Sequence, residues 1–417
     1  MAQPSPGDRP GDLSRRGARQ RDADDPLAFA RTRFSLPEGL IYLDGNSLGA
    51  LPRGVHARVR QVVEDEWGER LIGSWNTAGW MDLPAVTGAK IARLIGARSD
   101  EVVAADSTSV NLFKFLVAAA RLRPDRGVIV TESSTFPTDG YIAASVARTL
   151  GLELRWCDPA DPLASVDQDT VVLALTHVDF RTGRMYDMDA VTRGAHAEGA
   201  LMLWDLCHSA GAVPVDVTAA GADLAVGCTY KYLNAGPGAP AFCYVAPAHQ
   251  NAVDQPLTGW MGHAAPFEME RDYTPAPGVD RMRAGTPPIL GLAALDAALD
   301  AFEGVDTADL RRKSVALTSS FIDLVHEHTD LEVVTPLRPE ERGSQVSLRH
   351  AQAYGVVQAL IARGVVGDFR TPDIARFGFA PLYIRHVDVF DAVAALRTVL
   401  DRREYADPTY AVRAAVT

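Results

Sequence analysis

The chain has 417 residues, of which 47% are hydrophobic and 23% charged, and this composition excludes an intrinsically disordered or fibrous protein. Its formal net charge of −12 at pH 7 argues against a surface for nucleic acid or anionic lipid. No run of about 18 apolar residues occurs, so the sequence predicts no membrane-spanning helix. The length is sufficient for two packed domains.

Cysteine and lysine usage narrows the chemistry further. The four cysteines form no CxxC pair, which favours buried thiols in a cytoplasmic protein over a disulfide framework. Of the 41 basic residues, 37 are arginines, so a reaction that needs an amine has only four candidates: Lys90, Lys114, Lys231 and Lys313.

Residues 1–25 are rich in proline, glycine, arginine and aspartate and carry almost no large apolar side chains. We expect them to form a disordered leader, because little apolar surface is available to offset the entropy of ordering. They also have no apolar stretch typical of a secretory signal. The ordered chain is expected to begin near Leu27, with a short strand at 41–43.

Short apolar runs alternate with amphipathic stretches from about residue 100 to residue 245, which predicts a large α/β domain at 61–303. Helical spacing occurs at 139–150 and 189–199. Runs that are apolar on both faces indicate strands of a mostly parallel sheet covered by helices. The predicted strands are 127–131, 152–156, 170–176, 201–205, 223–228 and 241–245.

Residues 304–417 have a different pattern, which predicts a smaller C-terminal α+β domain that the segment 26–60 joins. The predicted helices are 310–328, 351–363 and 387–401, and the predicted strands are 331–334, 345–348 and 365–369.

Lys231 follows a predicted buried strand, precedes a Gly/Pro turn, and has apolar and aromatic flanks, an unusual place for a solvating charge. Asp205 ends the preceding predicted strand, at the edge where parallel sheets bind ligands. An amine and a carboxylate so placed suit pyridoxal phosphate, since lysine can hold its aldehyde and aspartate can keep its pyridine nitrogen protonated. The alternatives are a surface lysine on a loop and an aspartate that caps a helix.

Two segments could serve the phosphate and ring of such a cofactor. Residues 106–112 place hydroxyls at the start of a predicted helix, where backbone N–H groups bind anions. Residues 133–139 also follow a strand and precede a helix; Phe136 could stack on the ring, and Asp139 could contact the cofactor or cap the helix. Ser/Thr clusters before helices are usually plain caps, so the first segment alone is a weak signal.

These residues lie in a series of short motifs that resembles kynureninase, a pyridoxal-phosphate-dependent hydrolase family of tryptophan catabolism. The resemblance runs from about residue 42 to about residue 389. Its markers are YLDGNSLG at 42–49, FPTD at 136–139, DLCHSAG at 205–211, YKYLNAGPGAP at 230–240, GWMGH at 259–263 and RAGTPP at 283–288. Cys207 stands where alanine is expected, and Thr286 where some relatives have asparagine.

The resemblance implies the aspartate-aminotransferase fold (fold type I), pyridoxal phosphate as cofactor, and hydrolysis of L-kynurenine to anthranilate and L-alanine by a homodimer. It implies catalytic roles for Lys231, Asp205 and Tyr230, and binding of the substrate carboxylate by Arg376. The implied cofactor-binding residues are Thr108, Ser109, Phe136, Asp139, Thr176, Asp205, His208, Tyr230 and Lys231, with Trp260 and Thr286 supplied by the partner subunit.

Several alternatives stay open at this point. Another fold type I enzyme, such as an aminotransferase or a cysteine desulfurase, is the nearest; a desulfurase needs a reactive cysteine on a mobile loop, whereas the cysteines here lie in or beside apolar strands. A non-catalytic homologue would require loss of Lys231 or Asp205, and both are present. Arg376 could instead form a structural salt bridge with Asp373 or another acid. The sequence does not distinguish kynurenine from 3-hydroxykynurenine as the preferred substrate.

Overall fold

The computed structural model describes residues 12–411 and 413, which divide into two compact units. Unit 1 comprises the described residues up to Arg53, the segment Arg181–Met185 and the described residues from Ala301 onward. Unit 2 comprises Gly54–Phe180 and Tyr186–Asp300. The boundaries predicted from the sequence lie at 60/61 and 303/304, a few residues from the observed ones.

The secondary structure alternates between helices and strands along most of the chain. The helices are α1 (Arg15–Ala23), α2 (Arg53–Gln61), α3 (Ser74–Thr77), α4 (Leu83–Leu94), α5 (Thr108–Leu122), α6 (Pro137–Leu150), α7 (Met188–Ala197), α8 (Ile289–Leu299), α9 (Thr307–His328), α10 (Ala353–Ala362) and α11 (His386–Asp401). The strands are β1 (Phe34–Ser35), β2 (Ile41–Tyr42), β3 (Leu51–Pro52), β4 (Val102–Ala104), β5 (Val128–Glu132), β6 (Glu153–Cys157), β7 (Thr170–Thr176), β8 (Leu201–Asp205), β9 (Leu224–Gly227), β10 (Phe242–Val245), β11 (Glu332–Val333), β12 (Gln345–Arg349), β13 (Val365–Val366), β14 (Asp368–Arg370) and β15 (Ile374–Gly378). Within the described part of the chain, none of the helices combines the length and apolarity needed to cross a membrane.

Unit 2 is built on a seven-stranded sheet in the order β4-β10-β9-β8-β7-β5-β6. Only β10 pairs antiparallel with its neighbours, so the predicted mostly parallel sheet is confirmed. Its six predicted strands all form, each within one residue of the predicted start and end. Helices cover the sheet, and side chains such as Phe115, Val146 and Leu203 are at most 1% exposed in the resulting core.

The parallel strands bring polar residues together at their carboxyl ends. Thr176 ends β7 and lies opposite Asp205, which ends β8. Asp205 in turn lies opposite Val226 of β9, five residues before Lys231. A turn or bend, and not a helix, follows each of these three strands directly. The polar side chains at this edge of the sheet are therefore available to a ligand.

Unit 1 contains a four-stranded antiparallel sheet in the order β11-β12-β15-β14, together with α9, α10 and α11. The predicted strand 365–369 is two strands, because β13 pairs with β2 whereas β14 pairs with β15. The chain changes sheets at Gly367, where a Cβ atom would lie 2.8 Å from the Phe377 ring.

The predicted disordered leader is wrong for residues 15–23, which form α1; residues 1–11 lie outside the described part of the chain. Ser14 caps this helix, and Ala18 is 1% exposed. Asp22 accepts hydrogen bonds from the backbone N–H groups of His386 and Val387 at 2.6 and 3.0 Å, and so caps α11. Helix capping and charge interactions therefore order a segment whose composition alone predicts disorder.

Candidate active site

A cavity of about 200 Å³ lies at the carboxyl ends of the parallel strands of unit 2. Nine of the twelve site residues predicted from the sequence line it. The lining consists of Thr108, Ser109, Phe136, Thr138, Asp139, Thr176, Phe180, Asp205, Cys207, His208, Tyr230 and Lys231.

The amine of Lys231 points to an imidazole and an aromatic ring. Its Nζ atom lies 2.9 Å from Nε2 of His208, which is 4% exposed. The same atom is 5.9 Å from the ring centroid of Phe136 and 5.8 Å from that of Tyr230. Lys231 is half-buried on the cavity wall, so it is not the solvated loop lysine of the alternative interpretation.

The turn that carries Lys231 is fixed by its own backbone. The carbonyl of Lys231 accepts a hydrogen bond from the N–H of Asn234 at 2.9 Å, and Asn234 adopts a left-handed φ of 61°. The hydroxyl of Thr229 donates to the carbonyl of Pro240 at 2.6 Å, closing the Gly/Pro segment back onto the strand end. The turn residues that marked this segment in the sequence therefore set the direction of the lysine side chain.

Asp205 is 5% exposed, and its Oδ1 accepts a hydrogen bond from the N–H of Cys207 at 2.7 Å. A turn follows it rather than a helix, so the helix-cap alternative does not describe this residue. Asp139, in the first turn of α6, lies beside it: burial and the Asp205 carboxylate raise the pKa of Asp139 well above its usual range. Asp139 therefore favours its neutral, protonated form beside Asp205.

The start of α5 forms another wall of the cavity. Thr108 and Ser109 occupy its first two positions, and Ser107 caps it by accepting from the N–H of Val110 at 3.4 Å. Tyr230 faces the same cavity; burial raises the pKa of its phenol, so it remains a hydrogen-bond donor at neutral pH. Backbone N–H groups and three hydroxyls suit a phosphate group.

The residues present fit pyridoxal phosphate by their chemistry. An amine, a buried carboxylate, an aromatic face and a helix N-terminus with hydroxyls all line one cavity, and these are the groups that bind its aldehyde, pyridine nitrogen, ring and phosphate. Among residues 12–411 and 413, no group of three or more histidine, cysteine or carboxylate side chains is placed to hold a metal ion.

Three lining residues escaped prediction. Phe180 packs edge-on against Phe136, with ring centroids 5.3 Å apart. Cys207 is 7% exposed, and its Sγ accepts from the N–H of Cys228 at 3.1 Å. Thr138 lies within the FPTD motif and Cys207 within DLCHSAG, so membership of these motifs was a usable signal for both; no local pattern marks Phe180.

Trp260 and Thr286 do not line the Lys231 cavity. Trp260 is 38% exposed and packs edge-on against Phe267, with ring centroids 5.6 Å apart. Thr286 lines a different cavity of about 220 Å³, together with Asp106 and Arg283. A contribution of either residue to the cofactor site of a second subunit stays a prediction.

Arg376 lies in unit 1, in the middle of β15, and is 1% exposed. Its Nε atom donates to Oδ1 of Asp368 at 2.8 Å. An acid therefore pairs with this arginine, although it is Asp368 and not Asp373, whose carboxylate lies 3.2 Å from Arg349.

Comparison with known proteins identifies the family of this chain. The kynureninases of Burkholderia mallei (strain SAVP1) and Pseudomonas fluorescens are 54% and 53% identical over 406 residues, covering 95% of this chain and 98% of each relative. The kynureninase C-terminal domain model matches residues 310–396. Among solved structures, a mutant of C-DES with glycine covalently linked to its PLP cofactor has a TM-score of 0.77 over 88% of this chain and 98% of its own, at 16% identity, which shows the fold type I architecture. With this identity over nearly its whole length, the chain belongs to the kynureninase family.

Proposed function

We propose that the cavity around Lys231 is where this enzyme hydrolyses the Cβ–Cγ bond of L-kynurenine to anthranilate and L-alanine. The observation that carries the proposal is the convergence of the Lys231 amine, the Asp205 carboxylate and the start of α5 on one cavity. Pyridoxal phosphate, when bound, supplies an electron sink for the negative charge that develops at the substrate Cα.

Lys231 would hold the cofactor through its amine and then, once released, move the proton at the substrate Cα. His208 supports this role, because its Nε2 atom lies 2.9 Å from the Lys231 Nζ and can exchange a hydrogen bond with it. A positioned amine of this kind is a general base within reach of one atom of a bound substrate.

Asp205 would hold a proton on the pyridine nitrogen. The N–H of Cys207, 2.7 Å from its Oδ1, fixes the orientation of the carboxylate. Asp139, whose pKa is raised by burial and by Asp205, would stay protonated and donate to its ionised neighbour. One charge would thereby remain at the place where the cofactor needs it.

The remaining lining residues would hold the ring and the phosphate. Thr108, Ser109 and Tyr230 would donate hydrogen bonds to the phosphate, aided by the N-terminus of α5. Phe136 would cover the ring face, and Thr176 would lie beside it.

We propose further that the enzyme is a homodimer whose sites are completed by Trp260 and Thr286 of the second copy. Both residues lie outside the Lys231 cavity of their own chain. Unit 2 also exposes large apolar side chains: Trp67 by 56%, Ile72 by 80% and Leu290 by 42%. Trp67 and Leu290 line an apolar groove of about 370 Å³, and a second copy would remove this surface from water.

Arg376 is proposed to bind the substrate α-carboxylate. A guanidinium presents a planar fork that matches two carboxylate oxygens, which lysine cannot reproduce. Asp368 already pairs with the buried guanidinium within the protein, and this pair would orient Arg376 for the substrate carboxylate.

A cytoplasmic location completes the proposal. The four cysteines are all buried and form no disulfide, as expected of a protein kept in a reducing compartment.

The test is product analysis by chromatography of the purified enzyme with pyridoxal phosphate and either L-kynurenine or 3-hydroxykynurenine. Equimolar aryl acid and L-alanine are expected, and the ratio of kcat/KM values identifies the preferred substrate. Release of sulfide from cysteine, or transfer of the amino group to a keto acid, without alanine formation from kynurenine would overturn the assignment.

A further inference from the structure

The side chain of Arg376 is held by a hydroxyl and a carboxylate within unit 1. Its Nε and Nη2 atoms both donate to the Asp368 carboxylate, in a side-on pair. Nη2 also donates to the hydroxyl oxygen of Ser47 at 2.7 Å. Two neighbouring nitrogens of the guanidinium are therefore fixed, which sets the plane of the whole planar group.

Ser47 connects this arrangement to a second arginine. Its hydroxyl donates to Oδ2 of Asp368 and accepts from Nη2 of Arg376 and from Nη2 of Arg370, the last at 3.1 Å. A hydroxyl offers one donor and two acceptor positions, so all three are used here. Removal of this hydroxyl would therefore loosen three groups together.

The segment that supplies Ser47 is attached directly to the strand that carries Arg376. The carbonyl of Leu43 accepts from the N–H of Gly378 at 2.7 Å. Asn46 packs so closely on Gly378 that a Cβ atom there would lie 2.0 Å from the Asn46 Oδ1. The YLDGNSLG motif at 42–49 thus lies on β15, far from Lys231 in sequence.

The charges around the pair are arranged to keep Asp368 ionised. Burial would raise the pKa of Asp368, but Arg376 and Arg370 outweigh burial and lower it. The pKa of Asp44 shifts in the opposite direction. Burial and the nearby Asp368 raise it, although Arg376 and Ser47 oppose the shift. One firmly ionised carboxylate therefore faces the guanidinium.

We propose that Ser47 and Asp368 are positioning residues that hold Arg376 in the orientation that receives the substrate carboxylate. This inference rests on the proposed role of Arg376 and assigns a function to the motif at 42–49. Ser47 and Asp368 act through the arginine: they would set how well a carboxylate is bound, without taking part in bond cleavage.

The test compares steady-state kinetics of Ser47→Ala, Asp368→Asn and Arg376→Lys in the cofactor-loaded enzyme. Arg376→Lys is expected to raise KM for L-kynurenine roughly 10–100-fold, and Ser47→Ala and Asp368→Asn roughly 5–10-fold, with kcat changed less than about twofold. Asp391→Asn is the matched control, since it removes an ion pair of the same unit with Arg15, whose side chain is 45% exposed.

A second measurement separates positioning from general damage. The decarboxylated amine analogue of kynurenine has no α-carboxylate, so its inhibition constant should be the same in Ser47→Ala and wild type. If Asp368→Asn does not fold, because it leaves a buried arginine without its charge partner, Ser47→Ala decides the question.

The kinetics distinguish loss of the substrate-binding role of Arg376 from loss of the positioning role of Ser47 and Asp368. An unchanged KM in Arg376→Lys would remove the substrate role of the arginine, and with it the inference. A raised KM in Arg376→Lys with unchanged values in Ser47→Ala and Asp368→Asn would refute the positioning role alone. Equal weakening of the decarboxylated analogue in Ser47→Ala would also refute it.

Discussion

Lys231 differs from the other three lysines in what its amine contacts. Lys90, Lys114 and Lys313 each lie within 2.7 Å of an aspartate oxygen, so each of these amines is already engaged in an ion pair. Lys231 instead contacts His208 across the cavity. Among the four amines, this one is therefore best placed to react with an aldehyde.

We expect Lys231→Ala to lose activity on the order of 10³-fold, because it removes both the attachment point and the proton carrier. Borohydride reduction of the wild-type enzyme, followed by peptide mapping, should place the cofactor on the peptide that contains Lys231. Lys90→Ala, which removes an ion pair away from the cavity, serves as the control. Label on a peptide containing any other lysine would contradict the assignment.

Asp205→Asn is expected to bind pyridoxal phosphate but to lose at least ~10²-fold in kcat, because a neutral amide cannot hold the pyridine proton by charge. The amide oxygen can still accept the hydrogen bond from Cys207, so the local turn should persist. Cofactor titration followed by absorbance, together with the melting temperature, checks that binding and fold are kept. Near-normal turnover would show that Asp205 only stabilises the turn and has no catalytic role.

At the scale of secondary structure, Asp223 joins several elements at the edge of the sheet opposite the cavity. Its Oδ2 accepts from the N–H of Met202 in β8 at 2.7 Å and contacts Nε2 of His196 in α7 at 2.7 Å. Its Oδ1 contacts Nε2 of His249 at 2.6 Å. Burial alone would raise the pKa of Asp223, but these hydrogen bonds outweigh it and lower the pKa.

The pH dependence of this contribution follows from the direction of the shift. The pKa of Asp223 is lower in the folded chain than the unfolded-state value of roughly 3.9, so its stabilisation is complete above that value and lost as the pH falls through the folded pKa. Asp223→Asn should lower the free energy of unfolding by about 2 kcal/mol at pH 7. Urea unfolding at pH 7 and pH 3 tests this: a difference between wild type and variant that does not shrink at pH 3 would exclude the charge as its cause.

The sequence predicted the elements of the central sheet well and those outside it less well. Strands such as β7 and β8 were visible because they are apolar on both faces and end at turn residues. β15 was not predicted as a strand, because Arg376 interrupts its apolar run and the side chains that contact its guanidinium, Asp368 and Ser47, lie on other segments. α1 was also missed, because its stability depends on contacts with residues more than 350 positions away. One of these is the hydrogen bond that Asp22 of α1 accepts from the N–H of His386 at the start of α11.

The candidate site likewise contains residues that the local sequence marks and residues that depend on distant contacts. Residues that follow strand ends, such as Lys231 and Asp205, could be placed from sequence because parallel strands bring their carboxyl ends together. Phe180 could not, since its packing against Phe136 depends on the path of a loop. The contacts of Arg376 with Ser47 lie 329 residues apart in sequence and left no local pattern.

At the scale of the whole molecule, the proposed dimer makes a strong prediction about shared sites. Lys231→Ala and Trp260→Ala should each be inactive or weakly active alone. When the two are unfolded together and reassembled, half of the dimers are hybrids, and each hybrid has one site with native Lys231 and native Trp260. The mixture should recover about a quarter of wild-type activity at most. Hybrids that form, as seen by native mass spectrometry, but stay inactive would rule out the shared site.

The division of the chain into its two units has a consequence for synthesis on the ribosome. Unit 2 occupies one stretch of the chain apart from Arg181–Met185, so its seven-stranded sheet can form as soon as residue 300 has emerged. Unit 1 combines the first 53 residues with those from Ala301 onward. About 325–350 residues must be added after residue 53 before β15 and α11 are complete, so at translation rates of about 5–20 residues per second the N-terminal part waits roughly 16–70 s for these partners. During that interval α1 lacks α11, and the motif at 42–49 lacks β15, so the proposed binding site for the substrate carboxylate would be the last part of the enzyme to be assembled.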